Sequence, residues 1–241
     1  MWYRRNYVLP RTHRRYSNMN VAEVFSEIYA RGEWGEESKA EGFDSGSGSG
    51  AAYTNRYCEL ITDFMSENHI QTVVDIGCGD FRVGQQIAHP GISYTGVDLV
   101  TALITHNQKT FGCNHIGFQL GDLTNGVLPD GELCLIRQVL QHLSNQEIIT
   151  AIKRCEKYRY VIITEHIPTS GKVKPNLDKP HGPDIRLYWN SGVFLEEPPF
   201  SLRTTMLLDV PADRWSALRT SLVEHPVSVS PRRSDSAGAR V

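Results

Sequence analysis

Residues 73–81 read VVDIGCGDF, and no other stretch limits the fold so tightly. An apolar, β-branched run stops at two glycines one residue apart, Gly77 and Gly79, and helix-compatible sequence follows. A run of this kind is a strand buried on both faces, and the glycines supply a turn whose backbone can approach a ligand closely. Strand, tight turn and helix in that order belong at the carboxyl edge of a parallel sheet. The chain keeps the same rhythm afterwards. SYTGVDL (93–99), HIGFQL (115–120), ELCLIR (132–137), YVIITEH (160–166) and TTMLLDV (204–210) read as further strands. FRVGQQIA, TALITHNQKTF and NQEIITAIKRCEKY carry helical spacing between them, and Ser144 with Glu147 forms a capping box. The expected class is α/β, with helices on both faces of a mainly parallel sheet.

Two more amphipathic helices are expected upstream, one after the cap Asn20 and one after Thr54. They bracket GFDSGSGSGAAYT (42–54), whose Gly/Ser alternation matches both a passive tether and a mobile lid. The 241 residues suffice for one core and carry a net charge of −2, which gives no general pull toward nucleic acid or anionic membrane. No apolar run reaches membrane-spanning length. Cys58, Cys78, Cys113, Cys134 and Cys155 are widely spaced and read as buried, reduced thiols of a cytoplasmic protein. Residues 1–18 are expected to form a basic arm and 226–241 a disordered tail. One domain lies between them: helices and loop over 19–70, a ligand-binding core over 71–166, and a second loop with the C-terminal part over 167–225.

The charges around the glycine turn indicate what it holds. A dinucleotide pyrophosphate wants a third glycine three residues after the second, and Arg82 stands there, behind Asp80. Carboxylates at Asp75 and Asp80 repel a phosphate and suit a ligand bearing an ammonium and a sulfonium, such as S-adenosylmethionine. Asp98, about 20 residues on, is placed to accept two ribose hydroxyls. Asp122, after the third strand, is placed to receive an adenine amino group. Each of these acids taken alone fits a helix cap or turn; three in register after successive strands fit a binding site better.

From Thr72 to His166 the chain resembles the class I S-adenosylmethionine-dependent methyltransferases, which implies a Rossmann-like, mainly parallel seven-stranded sheet. The resemblance implies that Asp75, Gly77, Cys78 and Gly79 form the cofactor turn, Asp98 and Leu99 the ribose side, and Asp122 and Leu123 the adenine side. In CLIRQVLQHLS it implies that Arg137 and Gln138 lie beside the methionine part and His142 near the substrate mouth. A narrower likeness, to small bacterial methyltransferases, rests on Trp34-Gly35, the Ser-Gly-x-Gly-Ser run, CGDF and Pro198-Pro199-Phe200. It implies that the Gly/Ser run is a native loop over the cofactor with Trp34 at its entrance.

Methyl transfer from a sulfonium needs alignment, and needs a base only where the acceptor must lose a proton. Candidate bases are His142, after the fourth strand, and the best-placed pair, Glu165 with His166, at the end of the fifth. DKPHGPDIRLYW adds His181, Asp184, Arg186, Tyr188 and Trp189 as candidate acceptor contacts. Nothing in the spacing is diagnostic of a metal site. The expected activity is transfer to a small polar acceptor, such as an oxygen of a saccharide-linked metabolite. The alternatives are an amine or peptide acceptor, a nicotinamide-dependent oxidoreductase, and a binding module without turnover. Nucleic acid and membrane are not expected partners.

Overall fold

Alternation along each strand sorts the interior into two cores, one on each face of the sheet. In the computed structural model, which describes residues 15–34, 43–46 and 51–225, the strands are β1 (Thr72–Ile76), β2 (Ser93–Asp98), β3 (Ile116–Leu120), β4 (Leu133–Arg137), β5 (Tyr160–Pro168), β6 (Thr205–Asp213) and β7 (Ser216–Glu224). Val74 and Ile76, Cys134 and Ile136, and Val161 and Ile163 belong to one core. Their neighbours Val73, Leu133, Leu135, Tyr160 and Ile162 belong to the other. The helices are α1 (Val21–Arg31), α2 (Ala51–Glu67), α3 (Gly84–Ile87), α4 (Thr101–Phe111) and α5 (Asn145–Cys155). α1 and α5 cover the first core through Val24, Ile28 and Ile148, and α2 covers the second through Ile61 and Met65.

One seven-stranded sheet runs in the order β3-β2-β1-β4-β5-β7-β6. β1 to β5 are parallel, and β7 runs antiparallel to both β5 and β6. This is the class I methyltransferase fold. Strand order reverses between β1 and β4, so the loops leaving these strands diverge and open a crevice at the carboxyl edge.

The caps explain where helices start. Ser144 closes the expected box with Glu147, and Asn20 makes a second box with Glu23. Other expectations are corrected. Thr54 is no cap: α2 begins at Ala51, inside the Gly/Ser stretch, and Thr54 is buried. Only one turn of FRVGQQIA is helical, because Phe81 sits at φ 65° and breaks the entry. The apolar runs read alike as buried strands, but β3 is an edge strand with Leu120 half exposed. Cys113 is exposed, while the other four thiols are buried and free. Both the tail over 226–241 and the start of the basic arm, residues 1–14, lie outside the described residues. Tyr16 is nonetheless buried and donates to Glu33 at 2.9 Å, so packing begins before residue 19.

Gly77 holds the crevice together. It sits at φ 76°, and a Cβ there would overlap a Val139 methyl group from the loop after β4. Gly77→Ala should therefore cost about 3 kcal/mol in urea unfolding, from left-handed strain plus overpacking. Gly77→Ala with Val139→Ala should lose less than the sum of the two single substitutions.

Candidate active site

The crevice holds a cavity of about 560 Å³, bounded by β1, β2 and β4, the loop after β3, the face of α1 and the β6–β7 hairpin. Of the expected ligand contacts, Trp34, Asp75, Gly77, Cys78, Gly79 and Asp98 line it, as do Leu99, Asp122, Leu123, Arg137 and Gln138.

Strand periodicity decides which polar groups meet. Asp75, Arg137 and His166 share the parity of Val73, Leu135 and Ile162, so all three project to the α2 face. There Asp75 accepts a 2.9 Å hydrogen bond from the Tyr94 hydroxyl, and the Arg137 guanidinium lies 5.2 Å from the centre of the Tyr57 ring. Burial raises the Asp75 carboxyl to about 6 against the lowering effect of Tyr94 and Arg137. Burial also raises Asp98 to about 6, although the Val100 and Gly79 amides donate to it at 3.1 and 3.2 Å. Asp98 thus ties the glycine turn to the end of β2, and Asn107 fastens the turn from behind by donating to the Gly79 carbonyl at 2.8 Å. Asp122 makes a local turn, accepting from the Thr124 amide and hydroxyl at 2.7 and 2.8 Å.

Asp80 lines the cavity and has a second part that was not expected of it. Its carboxylate accepts from the Ser45 amide at 2.9 Å, and its own amide donates to the Ser45 hydroxyl oxygen at 2.7 Å. Arg82 bridges Asp80 and Asp44, and Tyr29 reaches Ser45 Oγ at 2.9 Å. The acid therefore pins Phe43–Gly46 onto the glycine turn. A Cβ on Gly79, at φ 55°, would overlap Ser45 Oγ, so this glycine is needed for that docking. A passive tether has no such contacts; the remaining Gly/Ser residues, 47–50, lie outside the described residues.

The candidate bases separate. Consecutive strand residues face opposite ways, so Glu165 and His166 form no pair. Glu165 is buried on the α1 side, where the Leu140 and Gln141 amides donate to its two oxygens at 2.8 and 3.0 Å. Burial raises its carboxyl to about 8 despite those bonds, and it does not line the cavity. His142 does line it, against Phe25 and Trp34. Its Nδ1 lies 3.2 Å from the Gly182 carbonyl, which fixes that nitrogen as the donor. Burial and Lys179 lower the imidazole to about 3, so His142 is neutral and too weak a base to hold a proton near neutrality. His166 also lines the cavity, and its Nε2 lies 2.9 Å from Ser216 Oγ.

Of the residues singled out in the loop after β5, Tyr188 alone reaches the cavity. His181, Asp184, Arg186 and Trp189 do not line the cavity; Pro183, Ile185 and Tyr188 do. His181 bridges Glu147 at 2.7 Å and the Met19 carbonyl at 3.0 Å, joining α5 to the approach of α1. Arg186 is 1% exposed and donates to the carbonyls of Leu177, Leu140, Gln141 and Leu143 and to Asn145 Oδ1. Asn176 does similar work, donating to the Phe194, Glu197 and Pro198 carbonyls and accepting from the Phe194 amide. These two side chains supply the bonds that regular structure would otherwise give a loop of this length. Tyr57, Tyr94 and Asn107 were not foreseen; their helix and strand positions gave no signal beyond ordinary core packing.

Residues 73–158 match the family model for a methyltransferase domain. No curated protein matches the sequence. Among solved structures, the N-methyltransferase NodS from Bradyrhizobium japonicum, in complex with S-adenosyl-L-homocysteine, superposes with a TM-score of 0.56 at 14% identity, over 85% of this chain and 99% of that one. Human N-acetylserotonin methyltransferase, in complex with S-adenosylmethionine, gives 0.58 at 14% identity, over 92% of this chain and 68% of that one. The N-terminal domain of EvdMO1, with S-adenosylhomocysteine bound, gives 0.54 at 14% identity, over 83% of this chain and 96% of that one.

Arg186→Met should lose about 3–5 kcal/mol in chemical denaturation, since it leaves several buried carbonyls unbonded. An acceptor-binding arginine would lose affinity and leave stability nearly unchanged.

Proposed function

We propose that this chain is an S-adenosylmethionine-dependent methyltransferase that acts on an oxygen of a small polar acceptor. The observation that carries the reading is the charge of the cavity wall. Glu33, Asp75, Asp80, Asp98, Asp122 and Asp213 line it, against the single guanidinium of Arg137 among the described residues. A pyrophosphate would meet carboxylates on nearly every side, whereas a ligand with an ammonium and a sulfonium finds partners there. The matched methyltransferase domain, and the adenosyl ligands named for the similar structures, agree with this.

The residues present fit such a cofactor. Asp98 would accept the ribose hydroxyls, Asp122 and Leu123 would flank the adenine, and Arg137 would meet the carboxylate of the amino-acid part with Asp75 near its ammonium. The cofactor supplies a methyl group already activated for displacement. The protein's remaining task is to orient the acceptor and take its proton. Of the three bases expected, His166 fits this best, since it lines the cavity while Glu165 does not and His142 is held too weakly basic. Ile185 and Tyr188, with the aromatic pair Phe25 and Trp34, would shape the acceptor side and limit water.

Calorimetric titration with S-adenosylmethionine, S-adenosylhomocysteine and NAD tests the reading. Both adenosyl compounds should bind and NAD should not; binding of NAD alone overturns it. Asp98→Ala should weaken S-adenosylmethionine binding on the order of 10- to 100-fold, as expected for charge-assisted hydrogen bonds. Affinity should also fall with pH. Asp75 and Asp98 are raised to about 6, so both are ionised above that value and take up protons below it. A cationic ligand prefers the ionised forms, and binding should weaken on the order of tenfold between pH 7.5 and 5.5.

A further inference from the structure

The β6–β7 hairpin brings Ser216, and through it Asp213, to His166 from 50 residues further along the chain. β7 pairs antiparallel with β5, with Leu218 opposite His166 and Ser216 opposite Pro168. Ser216 is therefore a diagonal neighbour of His166 on the same face. It is buried, and its Oγ lies 2.9 Å from His166 Nε2. The Ser216 hydroxyl also donates to Asp213 Oδ1 at 3.0 Å, and the Trp215 amide donates to that same oxygen. A serine hydroxyl has one proton. Because an ionised Asp213 only accepts, that proton points to the carboxylate, and Ser216 Oγ can meet His166 Nε2 only as an acceptor. The hydrogen on His166 is then on Nε2, and Nδ1 carries the lone pair.

We propose that Asp213 and Ser216 are positioning residues that hold His166 as its Nε2–H tautomer, leaving Nδ1 as a neutral proton acceptor for a hydroxyl substrate in the cavity. The inference deepens the methyltransferase reading and rests on it for the reaction itself. In that reaction the acceptor oxygen forms its new bond to the methyl carbon, and the carbon–sulfur bond breaks with its electron pair staying on sulfur. The hydroxyl proton goes to His166 Nδ1. The resulting imidazolium is stabilised by Asp213 through Ser216 and later returns its proton to water. An anionic acceptor would need none of this.

Among the described residues that line the cavity with His166, Asp213 comes from β6, Arg137 from β4, Tyr53 from α2 and Tyr188 from the loop after β5. Burial lowers the imidazole from its ordinary value and Asp213 acts in the opposite direction, so His166 is neutral at pH 7. Asp213 is itself held below the ordinary carboxylate value by the Trp215 amide and the Ser216 hydroxyl, so it is ionised throughout that range.

Nitrogen-15 NMR of histidine-labelled protein, without ligand, decides the matter, with His166 assigned by its absence from His166→Gln. The expected spectrum has a pyridine-like Nδ1 and a protonated Nε2 at pH 7.5. Asp213→Ala removes the acceptor that holds the serine proton, and the population should shift substantially toward Nδ1–H. Asp213→Asn keeps an acceptor oxygen, so the parent tautomer should persist while protonation moves to lower pH, because the negative charge is gone. In Ser216→Ala the further change Asp213→Ala should have no effect on the tautomer. An Nδ1–H tautomer in the parent, an imidazolium at pH 7.5, or a tautomer indifferent to Asp213→Ala would each overturn the proposal. Calorimetry with S-adenosylmethionine on the parent separates the two levels: absence of binding removes the methyltransferase reading, whereas the tautomer measurement judges the relay by itself.

Discussion

The close approach of two loops at the reversal of the sheet is the constraint on which the rest of the site depends. β1 pairs on both sides, with β2 and with β4, so the chain leaves β1 toward one half of the sheet and leaves β4 toward the other. The crevice between those exits stays narrow because Gly77 has no side chain to hold Val139 away. The Gly77 amide donates to the Val97 carbonyl at 2.8 Å, and Asp98 then takes the Gly79 amide, so the turn is fixed to β2 as well. Gln138, at φ 56°, bends the other exit and donates its amide to the Thr164 carbonyl at 2.7 Å. The ends of β2, β1 and β4 are thereby held in one relation, and Asp98, Asp75 and Arg137 converge on the cavity.

Convergence has an electrostatic cost that shapes the site. Asp75 and Asp98 are both buried, and both carboxyls are raised to about 6. Desolvation of the charged form is the leading cause in each, so a cationic ligand relieves a penalty that the folded protein already carries. Glu165, pushed further to about 8, sits apart and braces the Leu140–His142 turn through its amides. Arg186 grips the carbonyls of that same segment from the opposite loop. An acid and a base that looked like chemistry in the sequence thus anchor the wall that presents His142.

Strands and helices were legible because their burial repeats along the chain. β1, β2, β4 and β5 begin within one residue of where apolar runs place them, and α5 starts at the Ser144 box. Asp75, Asp98 and Asp122 were legible as a set because each lies at or just past the carboxyl end of a strand of a parallel sheet. The loop of 168–199 was not, since polar residues without periodicity carry no sign of direction. Arg186 and Tyr188 are two residues apart, yet one clamps buried carbonyls and the other faces the cavity. The pairing of Glu165 with His166 was a misreading of a signal that was present, because alternation along β5 already set them on opposite faces.

The sequence by itself determined the parallel core, the glycine turn and the acidic ring, because these follow from local periodicity and from the backbone freedom that glycine alone provides. Tertiary structure decided which polar groups serve the cavity and which serve the scaffold. Asp80 serves both, through its bond to Ser45, while Arg186 went to a row of carbonyls and His166 to Ser216 and the β6–β7 hairpin. Those partners lie 35, 43 and 50 residues away along the chain. A hydrogen bond acts over about 3 Å of space, and only the folded sheet brings such distant residues within that range.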